Sequence, residues 1–217
     1  MDIVTKETLN GIAVYAKILN DINLKFHVLI EDNTEKLFHE NEQLFYEIIS
    51  EIMRMIPVKK KRGSEEIVGL DSKSGILLLQ MEVSFLLEDY QRIINSDINK
   101  MILQDMSIVR NKFIHEPHNI NAAFYVGGKT SCSMGLYYKD RLCSVSTLKL
   151  NNIIYELNKV FDKLKTFFAE EVDRCGEQYK EYPCYVAMMN YDFRKYNMDY
   201  PLVPEWLLVE QEMEIVL

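Results

Sequence analysis

Apolar side chains recur every three or four positions along most of this chain, and the breaks in that rhythm divide it into elements. Leu9, Ile12, Ala16, Leu19, Ile22, Phe26 and Ile30 predict one amphipathic helix from about Thr5 to Glu31. Asp32-Asn33-Thr34 then supplies turn and N-cap chemistry. A second helix, about 35–56, carries Phe38, Phe45, Ile48, Ile52 and Met55 on its apolar face and ends at Pro57. The run Lys59-Lys60-Lys61-Arg62-Gly63-Ser64 reads as an exposed basic loop reaching to about Ser74. In a third helix, about 75–94, Ile76, Leu79, Val83, Leu86, Tyr90 and Ile93 form a stripe that Leu77, Leu78, Met81 and Phe85 widen. A helix apolar on most sides belongs in the centre of a bundle. The fourth, about 96–115, starts at Ser96 and stops at Glu116-Pro117, because the residue before a proline is pushed out of helical geometry.

The period then changes from helical to alternating. Ala122–Val126, Ser131–Tyr138 and Leu142–Ser146 predict short strands joined by Gly127-Gly128 and Lys139-Asp140-Arg141. A fifth helix, about 147–173, restores the helical spacing with Leu150, Ile154, Leu157, Phe161, Leu164 and Phe168. Beyond Gly176 the chain is tyrosine-rich and less regular, with Pro201 and Pro204 bracketing an extended segment before Trp206. The expected fold is mainly all-α: a four- to five-helix up-and-down bundle with a small antiparallel β-hairpin insertion before the last long helix. We read one domain over 1–217, with a core bundle at about 5–173 and a C-terminal extension at about 176–217.

Composition narrows the class. The 217 residues are 48% hydrophobic and 27% charged, which fits a globular chain with a sizeable core. No run approaches the roughly 20 apolar residues that span a bilayer, so no membrane partner is expected. The first residues lack a signal-peptide pattern, and the chain reads as cytoplasmic. Cys132, Cys143, Cys175 and Cys184 form no CxxC pair and read as reduced, small apolar residues. A net charge of −8 argues against coating nucleic acid by bulk attraction but leaves room for a local basic cleft. No Gly-rich phosphate loop, nucleophile elbow or HExxH occurs, so neither cofactor nor metal is expected. A zinc site from His115, His118 and the hairpin cysteines would lack paired spacing.

The fourth helix holds the candidate chemistry. On a wheel of about 100° per residue, Ile98, Ile102, Met106, Val109 and Phe113 face the core. Asn111 and His115, four apart, stack on the opposite side, and Arg110 flanks the core stripe. Met101 and Ile108 lie beside His115 as a second apolar strip, which must meet another element of this chain or a second copy of it. A helix end accounts by itself for an arginine and a histidine in its last turns, since cations complement the negative pole there.

Arg110-Asn111-Lys112-Phe113-Ile114-His115 nevertheless reads R-N-x-x-x-H, and this resembles the signature of the HEPN superfamily: an arginine, commonly a polar residue next, and a histidine four to six residues on. The following Glu116-Pro117 and a β insertion before a long final helix are also similar to prokaryotic HEPN-like proteins. As architecture the resemblance spans about 35–173; as a site it covers only the six motif residues. It implies a metal-independent endoribonuclease of toxin–antitoxin, abortive-infection or antiviral-defence type. Arg110 would bind the phosphate, His115 would serve as acid/base, and Asn111 would orient the histidine or the phosphate. It further implies RNA as substrate, an antitoxin or other protein partner, and a homodimer whose two motifs face each other and so supply both an acid and a base. Some members of the superfamily serve as binding modules without cleavage, which is the alternative for this chain. The tyrosine that is modified in nucleotide-silenced members falls two residues past the histidine, where this chain has Pro117. Secondary RNA contacts are expected from Lys112, from His118, and from Lys59, Lys60, Lys61 and Arg62.

Overall fold

In a computed structural model, residues 4–31, 38–71, 84–115, 122–126, 132–139 and 141–196 are described, with backbone alone at 31, 38–40, 84–85, 113–115, 122–126, 132, 175 and 196. The helices are α1 (Lys6–Glu31), α2 (Phe38–Met55), α3 (Ser84–Asn95), α4 (Asp97–His115), α5 (Thr147–Cys175) and α6 (Pro183–Asn190). The strands are β1 (Val58–Lys60), β2 (Ile67–Leu70), β3 (Ala122–Val126), β4 (Cys132–Tyr138) and β5 (Arg141–Ser146). The chain is therefore a mostly α-helical protein with its main β insertion immediately before the longest helix, as the periodicity predicts. The front half of the expected third helix, 75–83, and the segment around Pro201, Pro204 and Trp206 lie outside the described residues.

The bundle closes around one apolar core. α1 packs on α2, α5 and α6, while α4 packs on α2, α3 and α5. The apolar positions deduced from spacing meet there: Leu9, Ile12, Leu19 and Ile22 of α1, Phe45, Ile48 and Ile52 of α2, Ile102, Met106 and Val109 of α4, and Leu157, Phe161 and Phe168 of α5 are fully buried. Two antiparallel ladders flank the bundle, β4 and β5 packing on α4 and β2 on α3. β3-β4-β5 form a three-stranded meander with Ala122 opposite Leu136 and Leu136 opposite Cys143. Met134 and Val145, a facing pair, are buried against the helices. Ser146 ends this sheet and starts α5 in one step, its Oγ accepting from the Lys149 backbone N–H at 3.2 Å.

The second ladder corrects the sequence reading. Residues 58–70 form a hairpin, β1–β2, rather than a basic loop. Its turn uses Gly63 at φ +74, a backbone region in which a side chain is strained. Ile67 anchors β2 in the core, and Lys60 and Lys61 pair across the turn with Glu65 and Glu66.

The C-terminal segment is more regular and more central than its composition suggests. Pro183 opens α6 at its first turn, where a missing N–H costs nothing. Past α6, Tyr191 reaches the bundle interior and lies edge-on to Phe161 at 4.9 Å. Its hydroxyl donates to Asn158 Oδ1 at 2.6 Å and accepts from Asn23 Nδ2 at 2.7 Å. Asn158 also donates to Asn23 Oδ1 at 2.9 Å, so three buried polar side chains satisfy one another between α1, α5 and the tail. Tyr191→Phe removes two buried hydrogen bonds, although Asn23 Nδ2 and Asn158 Oδ1 keep their bond to each other, and is expected to cost about 1–3 kcal/mol in urea unfolding. An unchanged midpoint would contradict this role for the hydroxyl.

Candidate functional site

The R-N-x-x-x-H segment is the last stretch of α4 and is helical through His115. Arg110 is half-buried, and its Nε is screened from solvent with no hydrogen-bond acceptor. Among the described residues, Arg110 makes no ion pair. A buried, unused donor costs about 1–3 kcal/mol, so the position carries an unmet demand for an acceptor. Asn111 is exposed. Lys112 is half-buried, with its ammonium 4.9 Å from the centroid of the Tyr138 ring. His115 closes the helix, and its side chain lies outside the described residues, as does the whole of His118.

The second apolar strip of α4 finds its cover within the chain. Ile108 is buried, and α4 packs along β5 and β4. The sequence left open whether a second copy of the chain covers this strip; at Ile108 the chain's own sheet does so, and the strip is no argument for a dimer.

Beside Ile108 opens a cleft of about 320 Å³. One wall is the turn of the β1–β2 hairpin, Gly63 to Glu66. The floor is Gln104 and Ile108 of α4, and the other wall is Tyr138, Lys139 and Arg141 at the β4–β5 turn. Helical spacing sets position 115 two turns beyond Ile108 on the same side of α4. The cleft, Lys112 and position 115 therefore lie along one helix face, with Lys112 stacked on Tyr138, whereas Arg110, two residues from Ile108, is on the other side of the helix.

A buried ionic cluster fixes this geometry. Asp105 of α4 is 2% exposed and accepts from Arg141 of β5, and its other oxygen lies 3.7 Å from the Lys149 ammonium. Lys149, also 2% exposed, donates to the Ser144 carbonyl at 2.9 Å. Two cations on one carboxylate clamp the sheet and the start of α5 to α4, while half of the Arg141 side chain stays open to solvent. Cys143, between them in β5, is buried, and burial pushes its thiol up, away from thiolate reactivity.

Of the four basic residues proposed for RNA, Lys59, Lys61 and Arg62 are exposed and Lys60 is half-buried. Lys60 bonds Glu65, and Lys61 lies 3.5 Å from Glu66, so part of the patch is neutralised within its own hairpin. The turn that they flank nevertheless faces α4 across the cleft. Sequence reasoning passed over Gln104, Tyr138, Lys139 and Arg141. Lys139 and Arg141 stand out only as charges in a turn, and nothing local shows that this turn meets residue 108. Among the described residues, no helix is long and apolar enough to cross a membrane. No family model, curated protein or solved structure matches this chain.

Proposed function

We propose that this chain is a HEPN-like endoribonuclease that cleaves RNA through the substrate's own 2′-hydroxyl without a metal, and that it acts as a toxin or abortive-infection effector. The observation that carries the reading is Arg110: a guanidinium in the final turns of a bundle helix, its Nε buried and without an acceptor, five residues before the histidine that ends the helix. Structural arginines are normally paired, whereas a phosphate oxygen would meet this demand through the guanidinium's planar fork of donors.

The chemistry asks for three functions. A base takes the 2′-hydroxyl proton, an acid protonates the leaving 5′-oxygen, and a cation stabilises the pentacoordinate phosphorane. His115 serves as acid or base, because an imidazole titrates near operating pH. Arg110 holds the phosphate, and Asn111, exposed on the helix face shared with position 115, orients the imidazole or the phosphate. One chain offers one such histidine, so the reading requires two copies with their motifs opposed, and an antitoxin or other protein partner to restrain them.

Expression of the full chain in a bacterial host tests the proposal. Growth arrest that Arg110→Ala and His115→Ala each relieve is the expected result. Arrest unaffected by either change would overturn the assigned roles. Absence of arrest from a folded, expressed chain would favour the alternative, a non-catalytic HEPN-like module that binds RNA, a nucleotide or a protein.

A further inference from the structure

The hydrophobic pattern of α6 does not by itself fix how that helix is seated on the bundle. Tyr185-Val186-Ala187-Met188-Met189 is an unbroken apolar run, so every side of the helix is apolar. Met188 is fully buried while Val186 stays 40% exposed. A rotation of about 100° would put Met189 where Met188 now lies, one flexible methionine in place of another. The surface contacts of this segment discriminate little. Tyr182 and Cys184 bond Asn10 in exposed positions, where water competes for the same acceptor. Lys165 donates to the carbonyl of Tyr191, a group that any residue would offer.

The interior supplies a contact that does discriminate. Asn23 and Asn158 are fully buried. Each amide donates to a carbonyl of its own helix, Leu19 at 2.7 Å and Ile154 at 3.0 Å. The two amides also bond each other reciprocally, at 2.9 and 3.1 Å. Toward the C-terminal segment the pair presents one donor, Asn23 Nδ2, and one acceptor, Asn158 Oδ1, and the Tyr191 hydroxyl meets both. A hydroxyl suits that place because one atom both donates and accepts. The edge-on contact of its ring with Phe161 sets the angle at which it arrives.

We propose that Asn23, Asn158 and Tyr191 form a register key, a conformational device that selects one seating of the C-terminal segment and one alignment of α1 against α5. Apolar packing supplies the stability of that seam, and the key supplies its uniqueness. A slip of α1 along α5 separates the two amides and leaves them facing apolar neighbours. A rotated or shifted tail withdraws the hydroxyl and brings an apolar group to the pair instead. Apolar residues of similar shape at all three positions bury as much surface but penalise no alternative seating, so they keep stability and lose selection. The key stands independently of the cleavage reading.

The test compares the full parent chain with Asn158→Leu and with the triple variant Asn23→Leu, Asn158→Leu, Tyr191→Phe, leucine having the branched outline of asparagine. Urea unfolding and the backbone amide resonances in a nitrogen-15 spectrum are the two readouts. Asn158→Leu alone takes the partner from Asn23 Oδ1 and should raise the unfolding equilibrium constant about tenfold or more. The triple variant orphans nothing in the key and should stay within about tenfold of the parent. In the parent, Val186, Met188 and Tyr191 should each give one amide resonance. In the triple variant these amides should split into several or broaden away, while Met106 and Val109 of α4 keep one each. A triple variant with a single resonance for every tail amide would mean that apolar packing seats the segment unaided. A triple variant that unfolds more readily than Asn158→Leu would make the network a stabiliser. Either result overturns the proposal.

Discussion

Arg110→Ala is expected to lower RNA cleavage by about 10²–10³-fold, the usual effect of removing one positioned donor to a developing oxyanion, while leaving the fold as stable as before. The two halves of this expectation come from the same atoms. An arginine that holds the fold together breaks ion pairs or hydrogen bonds when truncated, and stability falls by several kcal/mol. Among the described residues, Arg110 has none to break. Its Nε is already a buried donor without an acceptor, which costs about 1–3 kcal/mol. Truncation removes that cost together with some packing of the aliphatic stem, so urea unfolding should change by less than about 1 kcal/mol. Such a separation of activity from stability marks residues kept for function at the expense of the fold. Arg110→Lys should not rescue activity, because an ammonium offers neither the planar fork nor a donor at the Nε position. A variant that unfolds more readily by over 2 kcal/mol yet cleaves like the parent would make Arg110 a structural residue.

Asp105→Ala is expected to destabilise the protein by about 3–5 kcal/mol, the largest stability change foreseen for a single substitution here. Asp105 and Lys149 are both almost completely buried, and Arg141 bonds the same carboxylate. Arg141 can turn outward, since half of its side chain already meets solvent. Lys149 cannot do so without tearing the start of α5 from β5, where its ammonium also bonds the Ser144 carbonyl. The cost therefore comes from removing a carboxylate from beside a buried ammonium, which costs more than the loss of one surface attraction. Replacing both members with apolar residues, as in Asp105→Leu with Lys149→Met, should recover most of the loss. If the single variant loses less than 1 kcal/mol, Lys149 has access to water that this packing does not provide. The cluster also fixes β5 and the β4–β5 turn against α4, the helix that carries the motif.

Much of the helical scaffold was legible because each helix carries its own amphipathic period and its own stop. Pro57 and Glu116-Pro117 mark ends of α2 and α4, and Ser146 marks the start of α5, all within a few residues of the observed bounds. The β1–β2 hairpin was hidden because its strands are short and its first is mostly lysine, a residue that argues for solvent rather than for a sheet. The signal lay in charge rather than hydropathy: Lys60 and Lys61 precede Gly63-Ser64, and Glu65 and Glu66 follow it at a spacing that allows pairing across the turn. α6 was missed because a tyrosine-rich, weakly amphipathic segment has no clear period, although Pro183 was a usable start signal. Of the site, the motif could be read in one place along the chain. The cleft could not, because its walls come from residues 63–66, 104–108 and 138–141, and the last two meet through the clamp at Asp105 and the packing of α4 on β4 and β5. Tertiary proximity of this kind leaves no trace in local periodicity.

The central claim is that Arg110 and His115 cleave RNA without a metal. The most direct test is to incubate the purified parent protein and its His115→Ala variant with total cellular RNA in EDTA, which silences metal-dependent contaminants, and to identify the new ends. The account predicts cleavage by the parent alone, leaving 2′,3′-cyclic phosphates, the product of attack by the neighbouring hydroxyl. Equal cleavage by both proteins would contradict it and reduce the R-N-x-x-x-H segment to the charged end of a bundle helix.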